Sequence, residues 1–522
     1  MDTSQRHVAR AAALVMVAFA TSRLLGLVRQ VVFGAYFGTG PEMDAYVAAL
    51  RIPDTIFLVV AGGALGSAFI PLFTSRLARS ETEPAWRLAS AIVTLLLVLL
   101  IPISLACIVL APWLVRAFVA PALAPEVQAR TVVLMRVMLL SPTIFGVSGI
   151  VMGVLNAHQH FLLPALAPIV YNLGLIVGGI WGGLTPLGTM GPAIGMVVGA
   201  AGHLLVQVPG LIRYGATFRP TLGLDDPGVR QVGLLVAPRV LGMAAAQVNL
   251  IVISNLASQL GPGAIASLDY AWRVMLLPQG VFAQAVGTAI FPTFSQQVAL
   301  GQTRALQTTL INSLRTLIAL TIPASVGMIV LGEPLIAVLF ERGEFDAGST
   351  QAVAFALSFF AIGLVGHSAL EVLGRAFYAM HNTWIPAMTA TVSVALNGAL
   401  GLVLPSIFER AGAQPLGGLA LATATATLVE STILFGLIRR RVGAFDARPL
   451  ISTTMRVGAA SAGMALVLWM LRRWGPEAVL LQAGIGVPLG VVVYGALAWL
   501  LRVDQLRSAV RMLSRRVESA VP

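Results

Sequence analysis

The sequence contains no lysine, and all 33 residues of its Lys+Arg total are arginines. A phosphate-binding loop of the G-x-x-x-x-G-K-[ST] type and a Schiff-base nucleophile both need lysine, so both are excluded. The one cysteine, Cys107, lies in an apolar run and has no partner in the chain for a disulfide. Charged residues make up only 10% of the chain, whereas 57% of it is hydrophobic. Few side chains are therefore available for chemistry, and most are suited to burial in lipid.

Apolar runs of about 20 residues, the length that crosses a bilayer core, recur through the 522 residues. Runs such as 95–110 and 479–501 are apolar on nearly all faces, unlike the alternating strands of a membrane barrel. The first run, 10–38, exceeds the length of a signal-peptide core and is expected to remain as a span. The sequence predicts an all-α polytopic membrane protein of about fourteen transmembrane helices. Their centres are expected near Leu25, Val59, Val98, Pro142, Leu173, Val198, Ala245, Val281, Leu320, Ala361, Ala395, Leu428, Met464 and Val491.

Arginines are distributed unevenly over the loops between these spans. When alternate loops are assigned to the two sides, the side of the amino terminus receives most of them, including Arg76, Arg79 and the run 439–441. The positive-inside rule then predicts that both termini are cytoplasmic. Because the basic residues are scattered over short loops, the net charge of +12 indicates topology and not nucleic-acid binding.

The chain also repeats itself at an offset of roughly 220 residues. Two six-helix lobes in the same orientation are predicted, over residues 1–222 and 223–445, because an even number of spans separates equivalent positions. Two additional helices and a basic tail fill residues 446–522. Repeated transporter halves usually place their substrate between them. The paired segments are 37–40 with 260–263, Asp44 with Asp269, Pro53 with Pro278, 68–73 with 289–294, and 155–165 with 377–387.

Four arginines lie within predicted spans, and each costs about 2.5–3.5 kcal/mol near the middle of a membrane unless water, a counter-charge or a substrate compensates. They are Arg23, Arg29, Arg51 and Arg273. A guanidinium group matches a phosphate through paired hydrogen bonds, so the set predicts a polar cavity for an anionic cargo. The alternative to a cargo site is that these arginines extend their guanidinium groups to the membrane surface, or form salt bridges to Asp44, Asp54 or Asp269.

Prolines follow two of these arginines. Pro53 and Pro278 are expected to break or kink the second and eighth spans, exposing backbone groups and a helix amino terminus that favours anions. The alternative is a pair of ordinary proline kinks.

Other polar motifs have simpler interpretations. Glu371 and Arg375 are four residues apart and are predicted to pair on one helical face. The run 158–160 (HQH) is expected to be an interfacial loop, because no carboxylate or thiol is near it to complete a metal site. The glycines at 191, 195 and 199 predict close helix packing. We find no catalytic, cofactor or metal constellation and therefore expect a transporter, not an enzyme.

Several of these motifs together resemble the MurJ/MviN family of the multidrug/oligosaccharidyl-lipid/polysaccharide exporter superfamily. The resemblance covers essentially the whole chain, and its S-R-x-x-G-x-x-R and L-F-E-R-G elements are fairly specific. The matching segments are 22–29, 37–38 with 44–45, 68–71, 155–157 with Phe161 and Pro164, 270–273 with Pro278 and 280–281, 339–343, and 377–379.

The resemblance implies a flippase of the bacterial cytoplasmic (inner) membrane for lipid II, an undecaprenyl-diphosphate-linked precursor of peptidoglycan. Such a protein moves its cargo outward by alternating access and is needed for cell-wall biogenesis and cell shape. The family's essential arginines correspond to Arg23, Arg29 and Arg273, its acidic residue after the first span to Asp44, and its basic residue before the second-span proline to Arg51. Ser22 and Asp269 complete the expected substrate-binding set. Expected partners are lipid II or a related glycolipid, membrane lipids and a coupling cation.

The sequence departs from the family pattern after Pro53. Family members commonly have an arginine pair and then A-E-G-A there, whereas this chain has Phe57 and Leu58, and then Gly62 in place of the glutamate. One cationic contact and one glutamate are missing.

Rival functions also follow from the sequence. An exporter of another polyprenyl-diphosphate glycan would share the arginines, whereas a drug or ion antiporter of the superfamily would be expected to line its cavity with carboxylates. A membrane enzyme acting on polyprenyl phosphates would need an acid/base, nucleophile or metal cluster. A protein of the same fold that serves as a scaffold and transports nothing is a further alternative, and only a transport assay would distinguish it from a flippase.

Overall fold

The computed structural model describes the backbone of residues 3–61, 64–443, 446–475 and 478–505. Within these ranges it describes all side chains except those of residues 3–14, 60–61, 64–68, 235, 237–243 and 245–246. Gly62 and the basic tail from residue 506 onward lie outside the described residues. The side chains of Arg6, Arg10 and Arg239 do so too.

The described chain is helical and contains no strand. Short π-helical turns cover Phe57–Ala61 and Val115–Val119, and a 3₁₀ turn covers Ser258–Leu260. The α-helices are α1 (Thr3–Phe37), α2 (Pro41–Ile56), α3 (Ala64–Ala78), α4 (Thr82–Leu114), α5 (Pro125–Met138), α6 (Ser141–Ala157), α7 (Leu162–Leu184), α8 (Met190–Leu205), α9 (Val208–Arg213), α10 (Pro227–Ala257), α11 (Ala264–Ala299), α12 (Thr303–Phe340), α13 (Ala347–Ala379), α14 (Trp384–Arg410), α15 (Pro415–Val442), α16 (Arg448–Trp474) and α17 (Val479–Leu500).

Twelve segments of the described chain are long and apolar enough to cross a membrane. In two of them a pair of helices follows in succession, α5 with α6 and α8 with α9. The other two expected spans, centred near Val59 and Ala245, correspond to α2–α3 and to α10, which are also helical. The prediction of an all-α polytopic membrane protein is confirmed.

The two prolines expected to interrupt spans behave differently. Four residues after Pro53 the α-helical ladder gives way to the π-helical turn Phe57–Ala61, so the second span is irregular as expected. At Pro278 the expected break is wrong, because α11 continues through it to Ala299, and the alternative of a kink there stays a prediction. A proline removes one backbone hydrogen bond, and membrane helices tolerate this loss where neighbouring structure accommodates it.

The chain forms two compact units, one of Met1–Ala266 with Arg342–Phe345 and the other of Ser267–Glu341 with Asp346–Pro522. In the first unit, the Glu344 amide donates to the Ala35 carbonyl over 2.9 Å. Gly343 beside it has φ +59°, and a Cβ there would collide with the Ala35 carbonyl oxygen. The glycine of the L-F-E-R-G element is therefore required by close backbone approach. The lobe boundaries at 222 and 445 stay a prediction.

In the first unit, α7 packs against α1 and α8. A Cβ added at Gly178 would lie 2.7 Å from the Gly195 Cα, and one at Gly174 would lie 2.6 Å from the Gly199 Cα. The predicted close packing at the glycines of α8 is confirmed, and the glycines of α7 complete it. On its other face α7 meets α1, where a Cβ at Gly179 would lie 2.7 Å from the Phe33 ring.

In the second unit, α16 and α17 pack against α12. The Tyr494 hydroxyl donates to the Ala319 carbonyl over 2.6 Å, and Met464 and Leu468 lie in the same apolar cluster. The two carboxyl-terminal helices are thus an integral part of this unit.

The segments 155–165 and 377–387 have the same backbone form. Gln159 and His381 are both left-handed, with φ of 57° and 55°. The following amides close the same turn, from His160 to the Leu155 carbonyl over 2.9 Å and from Asn382 to the Phe377 carbonyl over 3.0 Å. The sequence echo at these positions thus coincides with an identical helix termination.

Candidate functional site

One face of α1 carries a polar cluster directed at α7. Ser22, Gly26 and Arg29 lie at i, i+4 and i+7, and residues at this spacing share a helical face. Arg29 Nη1 donates to Asn172 Oδ1 on α7 over 3.2 Å, and Asn172 Nδ2 lies 3.4 Å from Ser22 Oγ. Gly26 lies between them, and a Cβ there would be 3.9 Å from Asn172 Oδ1. The S-R-x-x-G-x-x-R element is therefore, in part, the surface that α1 presents to α7.

Arg23 lies next to Ser22 in sequence but on another face of α1. It is exposed, and its Cζ lies 4.9 Å from the centre of the Phe19 ring one turn earlier. A guanidinium at this distance from an aromatic ring gains a cation–π attraction. Arg23 and Arg29 thus have different surroundings although both belong to one motif.

Arg51 is half-buried in α2, two residues before Pro53. The Thr55 hydroxyl donates to the Arg51 carbonyl over 2.6 Å, a bond that often accompanies a bend in a helix. Arg51 therefore lies two turns or less before the π-helical turn Phe57–Ala61.

Phe57, at a position where family members commonly carry a charge, belongs to an aromatic cluster. Its ring centre lies 5.0 Å from that of Phe145, which in turn meets Tyr171 and His203 edge-on at 4.9 and 5.4 Å. Apolar packing thus occupies this place in the chain, where the family pattern would put a cation.

Asp44 is fully buried. Its two carboxylate oxygens accept hydrogen bonds from the backbone amides of Gly263, over 2.6 Å, and Ala266, over 2.8 Å, at the first turn of α11. Carboxylates are stabilising at helix amino termini because they satisfy backbone amides that have no partner within the helix. The geometry gives Asp44 a capping role.

In the second unit, Arg273 and Asp269 form an ion pair one helical turn apart on α11. Arg273 Nε lies 2.5 Å from Asp269 Oδ2, and Asp269 is only 7% exposed. Asp269 is therefore one partner of the Arg273 guanidinium group. Trp272 beside it packs edge-on to Phe360 and His367, with ring centres 5.4 and 5.1 Å apart.

An apolar groove of about 430 Å³ also lies in the second unit, between α12, α16 and α17. Sequence reasoning did not identify it, because its walls come from segments far apart in the chain and carry no polar signature. Its lining includes Pro323, Gly327, Met328, Met464, Gly490 and Val491.

Two further predicted features lie outside these clusters. Arg375 and Glu371 form the expected ion pair at 3.3 Å, and Arg375 also donates to Thr288 on α11. His158 follows the last residue of α6, and its ring stacks on those of Trp86 and Tyr214 with centres 6.1 and 4.3 Å apart; its place at the membrane interface stays a prediction. Among the described residues, no three His, Cys, Asp or Glu side chains come together as metal ligands would.

The structure adds Asn172 to the sequence-predicted set. It brings Ser22 and Arg29 together in the first unit and pairs Asp269 with Arg273 in the second. Asn172 carries the only side-chain amide of α7. A single amide within an otherwise apolar span is the one feature of the sequence that could have pointed to this residue.

Comparison with known proteins extends these observations. The family model described as Lipid II flippase MurJ matches residues 33–483. A probable lipid II flippase MurJ of Rhizobium tropici is 30% identical over 91% of this chain and 90% of its own length. The lipid II flippase MurJ of Burkholderia cenocepacia is 30% identical over 87% of each chain.

Solved structures agree on the fold. The inward closed conformation of lipid II flippase MurJ matches with a TM-score of 0.79 at 24% identity, covering 94% of this chain and 99% of that one. An inward-facing multidrug resistance MATE transporter of the MOP superfamily matches with a TM-score of 0.69 at 17% identity, covering 82% and 98% of the two chains. The sequence resemblance is confirmed: the chain belongs to the lipid II flippase MurJ family.

Proposed function

We propose that this protein translocates lipid II from the inner to the outer leaflet of the cytoplasmic membrane. The observation that carries the proposal is the pair of arginines within the first span, Arg23 and Arg29, in a chain of the lipid II flippase MurJ family. A cation is costly within a membrane unless a partner or an anionic cargo meets it, and the diphosphate of lipid II is such an anion.

The diphosphate would be bound by guanidinium groups. Arg23, Arg29, Arg51 and Arg273 are the proposed ligands, with the Ser22 hydroxyl as an additional hydrogen-bonding group. Asp269 would orient Arg273, since it holds the Nε edge of that side chain. Asp44 would act through the backbone it caps and not by touching an anion.

The polyprenyl tail is apolar, so it must stay in contact with apolar surface while the headgroup crosses the membrane. The apolar groove between α12, α16 and α17 offers such a surface. The tail would leave lipid and not water when it enters the groove, so van der Waals packing against the groove walls would hold it there. We assign the groove to the tail of the cargo.

Transport would proceed by alternating access, with both termini in the cytoplasm. The cargo is anionic and the cell interior is negative, so the potential favours outward movement; each unit charge crossing 100 mV is worth about 2.3 kcal/mol. The same potential would draw an emptied cationic site back inward. A coupling cation is the alternative source of energy. Covalent chemistry has no part in this cycle.

The test is complementation of a strain depleted of its own lipid II flippase. Wild type should restore growth, and alanine at Arg23, Arg29 or Arg273 should abolish rescue at normal membrane levels. Lysine should rescue only in part, because it supplies a point charge without the planar pair of donors. Arg375→Ala is the matched control: its ion pair with Glu371 is structural, so protein abundance should fall before activity per molecule does. Growth supported by all three alanine variants would refute the assignment.

A second candidate is an exporter of another polyprenyl-diphosphate glycan. The observation behind it is that Phe57 packs against Phe145 at a position where the sequence resemblance implies a cation, and a cargo with a different headgroup would account for that change. Flipping assays in liposomes with lipid II and with a polyprenyl-diphosphate glycan lacking the peptide separate the two. Faster transport of the peptide-free glycan would select the second candidate.

A further inference from the structure

We infer that Asn172 is the positioning residue that fixes Arg29 for the diphosphate of the cargo. The inference rests on the proposed function, since it assigns Arg29 to that anion. Asn172 lies on α7, is only 8% exposed, and accepts a hydrogen bond from Arg29 Nη1 over 3.2 Å.

The amide group of Asn172 is held at its other end. Its Nδ2 donates to the Pro168 carbonyl, one turn earlier on α7, over 2.9 Å. It also lies 3.4 Å from Ser22 Oγ and 3.5 Å from the Ser22 carbonyl. Because an amide has one acceptor end and one donor end, these contacts orient Oδ1 toward Arg29. One side chain thereby aligns Ser22 and Arg29, two members of the proposed binding set.

The chemistry of the amide suits a residue that positions a ligand-binding cation. A neutral carbonyl oxygen restrains the guanidinium without contributing a negative charge. A carboxylate at the same place would bind more strongly, because charge-assisted hydrogen bonds are shorter and stronger, and it would compete with the diphosphate. Asn172 therefore restrains Arg29 at no cost to its charge.

The helix that carries Asn172, α7, packs closely against two neighbouring helices. Glycines at 174 and 178 bring α7 into backbone contact with α8, and Gly183 on the other face brings it against the Tyr36 ring of α1. Small residues at helix interfaces allow this close approach in membranes. A fixed α7 gives the acceptor at Asn172 a fixed position relative to α1, which holds Arg29 in one arrangement before the cargo arrives.

The experiment measures binding and transport by the full-length protein in lipid nanodiscs and liposomes, with purified lipid II as the probe. Asn172→Leu keeps the branched shape and the number of heavy atoms and removes the acceptor, and Asn172→Asp keeps the shape and adds a charge. Both should raise the Kd for lipid II by about 10- to 100-fold, the range expected when a hydrogen bond to a charged group is lost or misdirected. The melting temperature of Asn172→Asp should stay near that of wild type. Asn397→Leu is the matched control, because Asn397 is a buried asparagine on α14 that pairs with Thr423; its Kd should stay at the wild-type value.

A double-mutant cycle separates positioning from packing. If Asn172 acts through Arg29, adding Asn172→Leu to Arg29→Ala should weaken binding no further. A purely structural Asn172 would lower the melting temperature and leave the Kd of folded protein unchanged. If Asn172→Leu does not fold, Asn172→Asp decides, and lipid II affinity equal to wild type would overturn the inference. Failure of the wild type itself to bind or flip lipid II would instead refute the proposed function.

Discussion

Arginine side chains inside a membrane need a partner, and two arginines of this chain contact partners that differ in charge. Arg29 donates to the neutral amide of Asn172, whereas Arg273 pairs with the carboxylate of Asp269. The amide places no negative charge beside the guanidinium group, whereas the carboxylate does. Two arginines that both lie within predicted spans therefore differ in the electrostatic potential around their guanidinium groups.

Asp44 provides a residue-scale prediction. Asp44→Ala should lower the free energy of unfolding by about 0.5–2 kcal/mol, the usual cost of losing a helix cap, because the amides of Gly263 and Ala266 lose their acceptor. Thermal unfolding of the purified variant, beside its lipid II affinity, measures this. If affinity falls while the melting temperature is unaltered, Asp44 is a ligand and not a cap.

A second residue-scale prediction concerns pH. Arg76 at the end of α3 holds the pKa of Asp226, which precedes α10, below its usual value of 3.8 through a side-chain hydrogen bond. A lowered pKa means that the ion pair contributes its full stability above pH 3.8 and loses it as the pH falls through the lowered value. The melting temperature of wild type should drop over this acid range more steeply than that of Asp226→Asn. Parallel pH profiles would show that the pair contributes nothing.

At the scale of helices, contact between α7 and α8 depends on the absence of side chains. Gly178→Ala places a methyl group 2.7 Å from the Gly195 Cα, so the helices must separate. We expect a melting temperature several degrees lower, in line with the cost of about 1–3 kcal/mol for overpacking.

Gly458→Ala on α16 is the matched control, because no atom lies within 4 Å of the added Cβ. It should be neutral or stabilising by up to about 1 kcal/mol, since alanine is the better helix former. Equal effects of the two substitutions would contradict the packing argument.

The sequence predicted those features of the helices and the site that depend on residues close together in the chain. Long apolar runs predicted the spans, and the i, i+4 spacing predicted the Arg375–Glu371 pair. The continuity of α11 through Pro278 was missed, because the tolerance of a proline depends on surrounding structure that a proline in the sequence does not reveal. The Arg29–Asn172 bond joins residues 143 positions apart, and no spacing rule reaches that far.

At the scale of the whole molecule, the arginine bias predicts the orientation. Reporter fusions after Arg441, at the end of α15, should read cytoplasmic, and one at Thr185, after α7, should read external. Reversed signals at both sites would overturn the orientation and leave the fold intact.

The second whole-molecule prediction concerns energy. If the potential drives the cycle, flipping of lipid II in liposomes should slow strongly when an ionophore collapses a potential that is negative on the side of the termini. A dissipated sodium or proton gradient at constant potential serves as the control. Flipping that persists unchanged without a potential would rule this mechanism out, and loss only with the ion gradient would indicate a coupling cation.

The glycine contact between α7 and α8 has a consequence for conformational uniqueness. Where side chains interdigitate, an interface can be rebuilt with other rotamers, and related arrangements of similar energy become available. Backbone that touches backbone at Gly178 and Gly195 has no rotamers to exchange. At this contact the separation of the two helices is therefore set by backbone atoms, and no change of rotamer can alter it.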